Sequence, residues 1–116
     1  MVINHTFFLI SVLVGGILTL VGFITYLYPP KKINYFYGYR TSRSMKSQES
    51  WDFAQKYSSK LSCFLGITMV AIGFLLKTID IEKPYGLVIA LLFMLMIFII
   101  LLFKTENALK KHFPNE

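Results

Sequence analysis

Residues 85 to 103 read YGLVIALLFMLMIFIILLF, nineteen positions without a charge, with Pro84 before them and Lys104 after. As a helix rising about 1.5 Å per residue, this run covers roughly 28 Å, close to the roughly 30 Å hydrocarbon core of a bilayer. The stretch therefore predicts a membrane span. Working toward the N-terminus, Leu61 to Leu76 is a shorter apolar run. Lys60 and Lys77 can snorkel at its ends, while Ser58, Ser59 and Thr78 extend the helix into the headgroups. Phe7 to Tyr28 is also free of charge and as a helix reaches about 33 Å. Three transmembrane helices follow, at about 7–28, 61–78 and 85–103.

Composition agrees. Of 116 residues, 55% are hydrophobic and 16% charged, with a mean hydropathy of +0.58. A soluble domain carries about 25% charged residues, and one small core could not hide this much apolar surface. The expected fold class is all-α: one integral membrane domain, 1–116, with a loop at 29–60, a tail at 104–116, and an interfacial amphipathic helix leading into the second span. Cys63 is the only cysteine, which excludes a disulfide within the chain and a zinc site built on cysteines.

The first run differs from a secretory signal peptide. Residues 1–6 hold no Lys or Arg, the apolar core is long, and Pro29-Pro30-Lys31-Lys32 reads as a helix stop with a charge cluster. Orientation follows from the basic residues. Residues 29–60 contain seven Lys and Arg, the tail three (Lys104, Lys110, Lys111), and the second connection two (Lys77, Lys83, beside Asp80 and Glu82). With an odd number of spans, the first loop and the tail share a side, and the positive-inside rule places that side in the cytoplasm, with the N-terminus outside. The formal charge of +6 raises the question of nucleic acid. A tethered basic loop gains about 1 kcal/mol per basic residue from anionic lipid alone, so the bilayer is the expected partner and nucleic acid is not.

In lipid, small residues on one stripe let helix backbones approach. Ser11, Gly15 and Thr19, with Gly16 and Gly22 nearby, form such a stripe on the first helix, and Ser62, Gly66 and Gly73 on the second. These two helices are expected to pack closely, leaving the third more open to lipid or to another subunit of a homo-oligomer. The spans hold no ionisable residue besides the Cys63 thiol, and His5 and His112 lie at opposite ends of the chain. Proton relays, charged pores and metal or triad catalysis need such groups together, so the expectation is a non-enzymatic protein without a cofactor.

The loop carries the distinctive chemistry. Between Tyr28 and Lys60 it reads YPPKKINYFYGYRTSRSMKSQESWDFAQKYSSK. Tyr26, Tyr28, Tyr35, Phe36, Tyr37 and Tyr39 suit the headgroup level. Gly38 suits a tight turn presenting Arg40 and Thr41, and the Arg40 guanidinium can hold a phosphate, a carboxylate or helix-end carbonyls. Ser47 is a plausible N-cap with Glu49 and Asp52 in or near the first turn. Trp51, Ala54, Tyr57 and Leu61 then recur at helical spacing, so that one face can sit in the interface.

The run Asn34-Tyr35-Phe36-Tyr37-Gly38-Tyr39-Arg40-Thr41, then Ser44-Met45-Lys46-Ser47, then Trp51 and Ala54, closely resembles the signature loop of the SdpI family of bacterial membrane proteins. The resemblance covers about residues 26–76. Ser42 stands where many members have Pro, and Gln55 where Asn usually follows Ala. The resemblance implies a role like that of the family's namesake, an immunity protein that protects a producer cell from its own secreted peptide toxin and is thought to bind a transcriptional autorepressor at the membrane. Asn34, Gly38, Tyr39, Arg40, Thr41 and Trp51 are then the candidate binding residues. Arg40 is expected to pair with a polar partner, Thr41 and Asn34 to complete its hydrogen bonding, and Trp51 to pin its helix at headgroup depth. The alternative is a signalling or scaffold module whose basic loop captures a soluble regulator, such as a repressor protein, or anionic lipid.

Overall fold

A computed structural model describes residues 2–78 and 85–115. The connection bearing Asp80, Glu82, Lys83 and Pro84 lies outside the described residues, as does the side chain of His5. The chain forms α1 (Val2–Leu27), α2 (Gln48–Leu75) with a 3-10 turn (Leu76–Thr78), and α3 (Tyr85–His112). All three helices are long and apolar enough to cross a membrane. No strand occurs among the described residues.

α2 is one unbroken helix of 28 residues, so the segment expected along the interface and the second span are continuous. Its start is set by Ser47, whose side chain accepts the Ser50 N–H, satisfying one of the donors that a helix start leaves open. α3 likewise runs two turns past the apolar stretch, ending at His112 with Lys110 and Lys111 in its last turn, where the helix dipole favours cations.

α1 and α2 are antiparallel and pack through their small residues. A Cβ placed on Gly15 would stand 2.7 Å from the Gly66 carbonyl oxygen, one on Gly22 the same distance from the Ser59 oxygen, and one on Gly73 2.9 Å from Ser11 Cβ. Such close backbones admit hydrogen bonds across the seam. Ser62 Oγ donates to the Leu18 carbonyl at 2.8 Å, and the Thr25 and Ser59 hydroxyls pair at 2.7 Å. Each interhelical bond of this kind is worth about 0.6 kcal/mol in a bilayer, so packing does most of the holding. α3 covers one side of the seam, where Leu18, Leu65, Met69 and Ile97 form the core. Its opposite flank stays exposed, including Leu92, Leu95, Ile99 and Phe103.

Candidate functional site

The loop 28–47 has little regular structure, yet much of its backbone is bonded to side chains. Asn34 Oδ1 accepts the N–H groups of Phe36 and Tyr37 at 2.9 and 2.8 Å, and its Nδ2 donates to the Lys32 carbonyl at 2.9 Å. This Asx turn needs a short side chain carrying both an acceptor and a donor. Tyr37 closes the turn onto α1 by donating its hydroxyl to the Tyr28 carbonyl at 2.7 Å.

Gly38 follows at φ +102°, the sole positive-φ residue among those described. A side chain there is blocked twice, by conformation and by space. An added Cβ would lie 2.5 Å from Gln55 Oε1 and 2.7 Å from Pro30 Cγ. The gap admits the Gln55 amide, which bonds Tyr39 on both sides of its backbone. Oε1 accepts the Tyr39 N–H at 2.7 Å and Nε2 donates to the Tyr39 carbonyl at 2.8 Å. Gln55 thus imitates a neighbouring strand, and its position in α2 fixes the loop against the helix.

Trp51 fastens the other side. Its ring is completely buried and its indole N–H donates to the Pro30 carbonyl at 2.6 Å. The ring is enclosed by protein, and its one polar atom holds the chain as it leaves α1. Ala54, one turn on, is buried on the same face.

The loop also reaches α3. Tyr39 Oη donates to Glu106 Oε2 at 2.7 Å, Thr41 Oγ1 donates to the same oxygen at 2.8 Å, and Arg43 Nε lies 3.7 Å from Oε1. Glu106 is therefore the acceptor on which three loop residues converge. Burial, then the hydrogen bond and charge of Glu106, push the Tyr39 phenol far above its ordinary range, so it remains a donor. Thr41 is held in turn by Ser44: the Thr41 N–H donates to Ser44 Oγ at 2.8 Å and the Ser44 N–H to Thr41 Oγ1 at 3.1 Å. Beside this latch, the Phe53 ring of α2 packs against His112 and Phe113, with centroids 4.4 and 5.8 Å away. The loop and the C-terminal end of α3 consequently share one end of the bundle.

The six candidates from the sequence do not form one cluster. Tyr39 and Thr41 meet at Glu106. Asn34 serves its own turn, Gly38 makes room for Gln55, and Trp51 binds Pro30. Arg40 is exposed, and its guanidinium donates to the Tyr35 carbonyl, with neither Thr41 nor Asn34 completing its bonding. Glu106 and Gln55 escaped attention as functional residues. The signal for Glu106 was an acid three residues beyond the apolar run, in a tail with three lysines.

Most of the residues that build this platform lie within a recognisable family pattern. Residues 31–103 match the model of the SdpI/YfhL protein family. The chain belongs to that family. It is also 44% identical over 62 residues to the uncharacterized protein YfhL of Bacillus subtilis (strain 168), across 53% of this chain and 56% of that protein. The chain thus spans little more than half of that relative's length. No solved structure matches. Membership in the SdpI/YfhL family and three spanning helices make this a multi-pass membrane protein. The latch contributed by Glu106 lies just beyond the matched segment.

What this SdpI/YfhL loop presents outward is an aromatic tip on a hydrogen-bonded backbone. Phe36 is 93% exposed and Tyr35 77%, and both stand beside the exposed Arg40, on a backbone fixed by Asn34 and Arg40 itself. Among the described residues, no group of three His, Cys, Asp or Glu is placed to hold a metal ion.

Proposed function

We propose that this chain is a non-enzymatic resistance protein that recognises a hydrophobic peptide toxin at the membrane, with the loop end in the cytoplasm and the N-terminus outside. The observation that carries the reading is the exposed Tyr35–Phe36 tip on a pre-bonded loop. Large apolar rings on a fixed backbone lose little conformational entropy on binding, which is the property of a recognition surface. Inward-facing residues serve as the frame of that surface, and Arg40 stands at its rim, where it can meet a peptide carboxylate.

Survival of toxin-sensitive cells expressing the protein tests this. The Tyr35→Ser/Phe36→Ser double variant, whose changes fall on exposed side chains, is expected to lose protection while reaching the membrane in normal amounts. Arg40→Ala is expected to weaken protection in the same assay. Wild-type survival of cells carrying the double variant would end the reading.

The high exposure of Phe36 also favours a second reading, in which the tip captures a soluble regulator such as a transcriptional repressor. Salt separates the two. A regulator drawn to the basic loop is released as ionic strength rises, whereas a toxin held in the bilayer is retained.

A further inference from the structure

Two cavities open along the α1–α2 seam, neither of them lined by a residue of α3. The upper one, of about 420 Å³, lies where α1 ends and α2 begins and is lined by Thr25, Tyr26, Pro30, Lys31, Asp52 and Lys56, among others. The lower one, of about 740 Å³, is bordered by Gly16, Leu20 and Phe23 of α1 and Cys63, Ile67 and Ala71 of α2. Positions 16, 20, 23 and 26 on α1, and 56, 60, 63, 67 and 71 on α2, follow three- and four-residue steps, so each set forms one helix face. The two cavities are therefore the polar head and apolar body of a single trough.

Charge and length both say what fits there. Lys31 and Lys56 line the head, and Lys60 Nζ sits 5.7 Å from the centroid of the Tyr26 ring that forms part of its wall. All three lysines are exposed. They outnumber the one acid, Asp52, which accepts from Gln48 Nε2 at 2.8 Å and, like any carboxylate, can accept further donors. From Lys60 to Ala71 the helix rises about 16 Å, close to half of the roughly 30 Å hydrocarbon core, which is one leaflet.

We propose that this trough binds one anionic phospholipid with a hydroxyl-bearing headgroup: the phosphate lies among Lys31, Lys56 and Lys60, a headgroup hydroxyl donates to Asp52, and an acyl chain fills the groove from Phe23 to Ala71. The proposal does not depend on the toxin reading. It assigns the basic residues at 31, 56 and 60 a shaped site in place of a general attraction to the membrane surface.

Native mass spectrometry of the full chain released from nanodiscs of phosphatidylcholine containing phosphatidylglycerol tests it. The wild type is expected to retain one phosphatidylglycerol per chain, with at least tenfold preference over phosphatidylcholine. Lys31→Gln/Lys56→Gln/Lys60→Gln should abolish that preference, whereas Lys46→Gln/Lys110→Gln/Lys111→Gln, which removes as many exposed positive charges elsewhere, should keep it. Gly16→Phe addresses the apolar body. A Cβ at Gly16 meets nothing within 4 Å, so the ring enters the groove without touching the α1–α2 contact. It should lower retention of the lipid about tenfold with the lysines intact. Equal losses in the two lysine triples, unchanged retention in Gly16→Phe, or a wild type without preference would each overturn the proposal.

Discussion

Tyr39 and Glu106 stand 67 residues apart in the chain and join through a 2.7 Å hydrogen bond that fastens the loop to the end of α3. Because Thr41 donates to the same carboxylate oxygen, removing the carboxylate strands two donors at once. Glu106→Ala is expected to lower stability by about 1–3 kcal/mol, the usual cost of unpaired, partly buried polar groups. Glu106→Gln keeps an acceptor for the two hydroxyls and loses only its charge toward Arg43, a partly exposed pair worth about 0–1 kcal/mol. Amide hydrogen exchange over residues 39–45 distinguishes them: fast in the alanine variant, near wild type in the glutamine variant. Equal protection in all three proteins would show that the latch does not hold the loop.

A second consequence concerns the phenol. Since burial and Glu106 raise the pKa of Tyr39, the folded protein holds that proton after the unfolded chain has lost it. Its contribution to stability is fully present below the ordinary tyrosine range and declines as pH climbs through and above that range. Phenolate absorbance in an alkaline titration of the folded protein should show one of the seven tyrosines ionising later than the others. Tyr39→Phe should remove that late step alone.

Gln55 makes two bonds to one residue's backbone, and its length sets the loop's distance from α2. Gln55→Asn withdraws the amide by one methylene, so at least one bond is lost, at about 0.5–1.5 kcal/mol for each. Gly38→Ala pushes from the other side, combining the strain of φ +102° with a Cβ 2.5 Å from Gln55 Oε1. The expected loss is about 1–3 kcal/mol. Thermal unfolding in detergent should show both variants falling below wild type. Because the two changes meet at the same amide, a double-mutant cycle should also give a coupling of at least about 0.5 kcal/mol. Additive losses would separate the amide from the glycine.

The spans were legible because uncharged length decides whether a helix can cross lipid, and length is local in sequence. The Ser47 cap and the close α1–α2 seam were legible for similar reasons: a cap lies within one turn, and small residues at four-residue steps share a face. The loop's partners were not. In irregular backbone no period says which way Arg40 or Arg43 points, and the arginine that reaches Glu106 is the one not chosen. Glu106 itself lies beyond the third apolar run and meets the loop only because three spans return both to one end. The extended reach of Gln55, visible as a departure from the usual Asn, gave no hint of a two-sided grip on Tyr39.

Glycines on α1 give a final, sharply contrasted prediction. Gly15 faces Gly66 so closely that a Cβ would lie 2.7 Å from a carbonyl oxygen and 3.0 Å from the Val70 nitrogen, whereas Gly16 looks onto open space. Beside the Val70 Cγ2 methyl at 2.9 Å, two of the three nearest obstacles at Gly15 are backbone atoms, which cannot turn aside as a side-chain tip can. Gly15→Ala must therefore move a whole helix, and an overpacked contact of this kind costs about 1–3 kcal/mol. Gly16→Ala meets no such obstacle and gains helix propensity, so it should be neutral or slightly stabilising. Thermal unfolding of the two single variants in one detergent compares them directly, with the general effect of replacing glycine in α1 shared by both. If Gly15→Ala were as stable as Gly16→Ala, the two helices could not approach as closely as their glycine-to-carbonyl distances require.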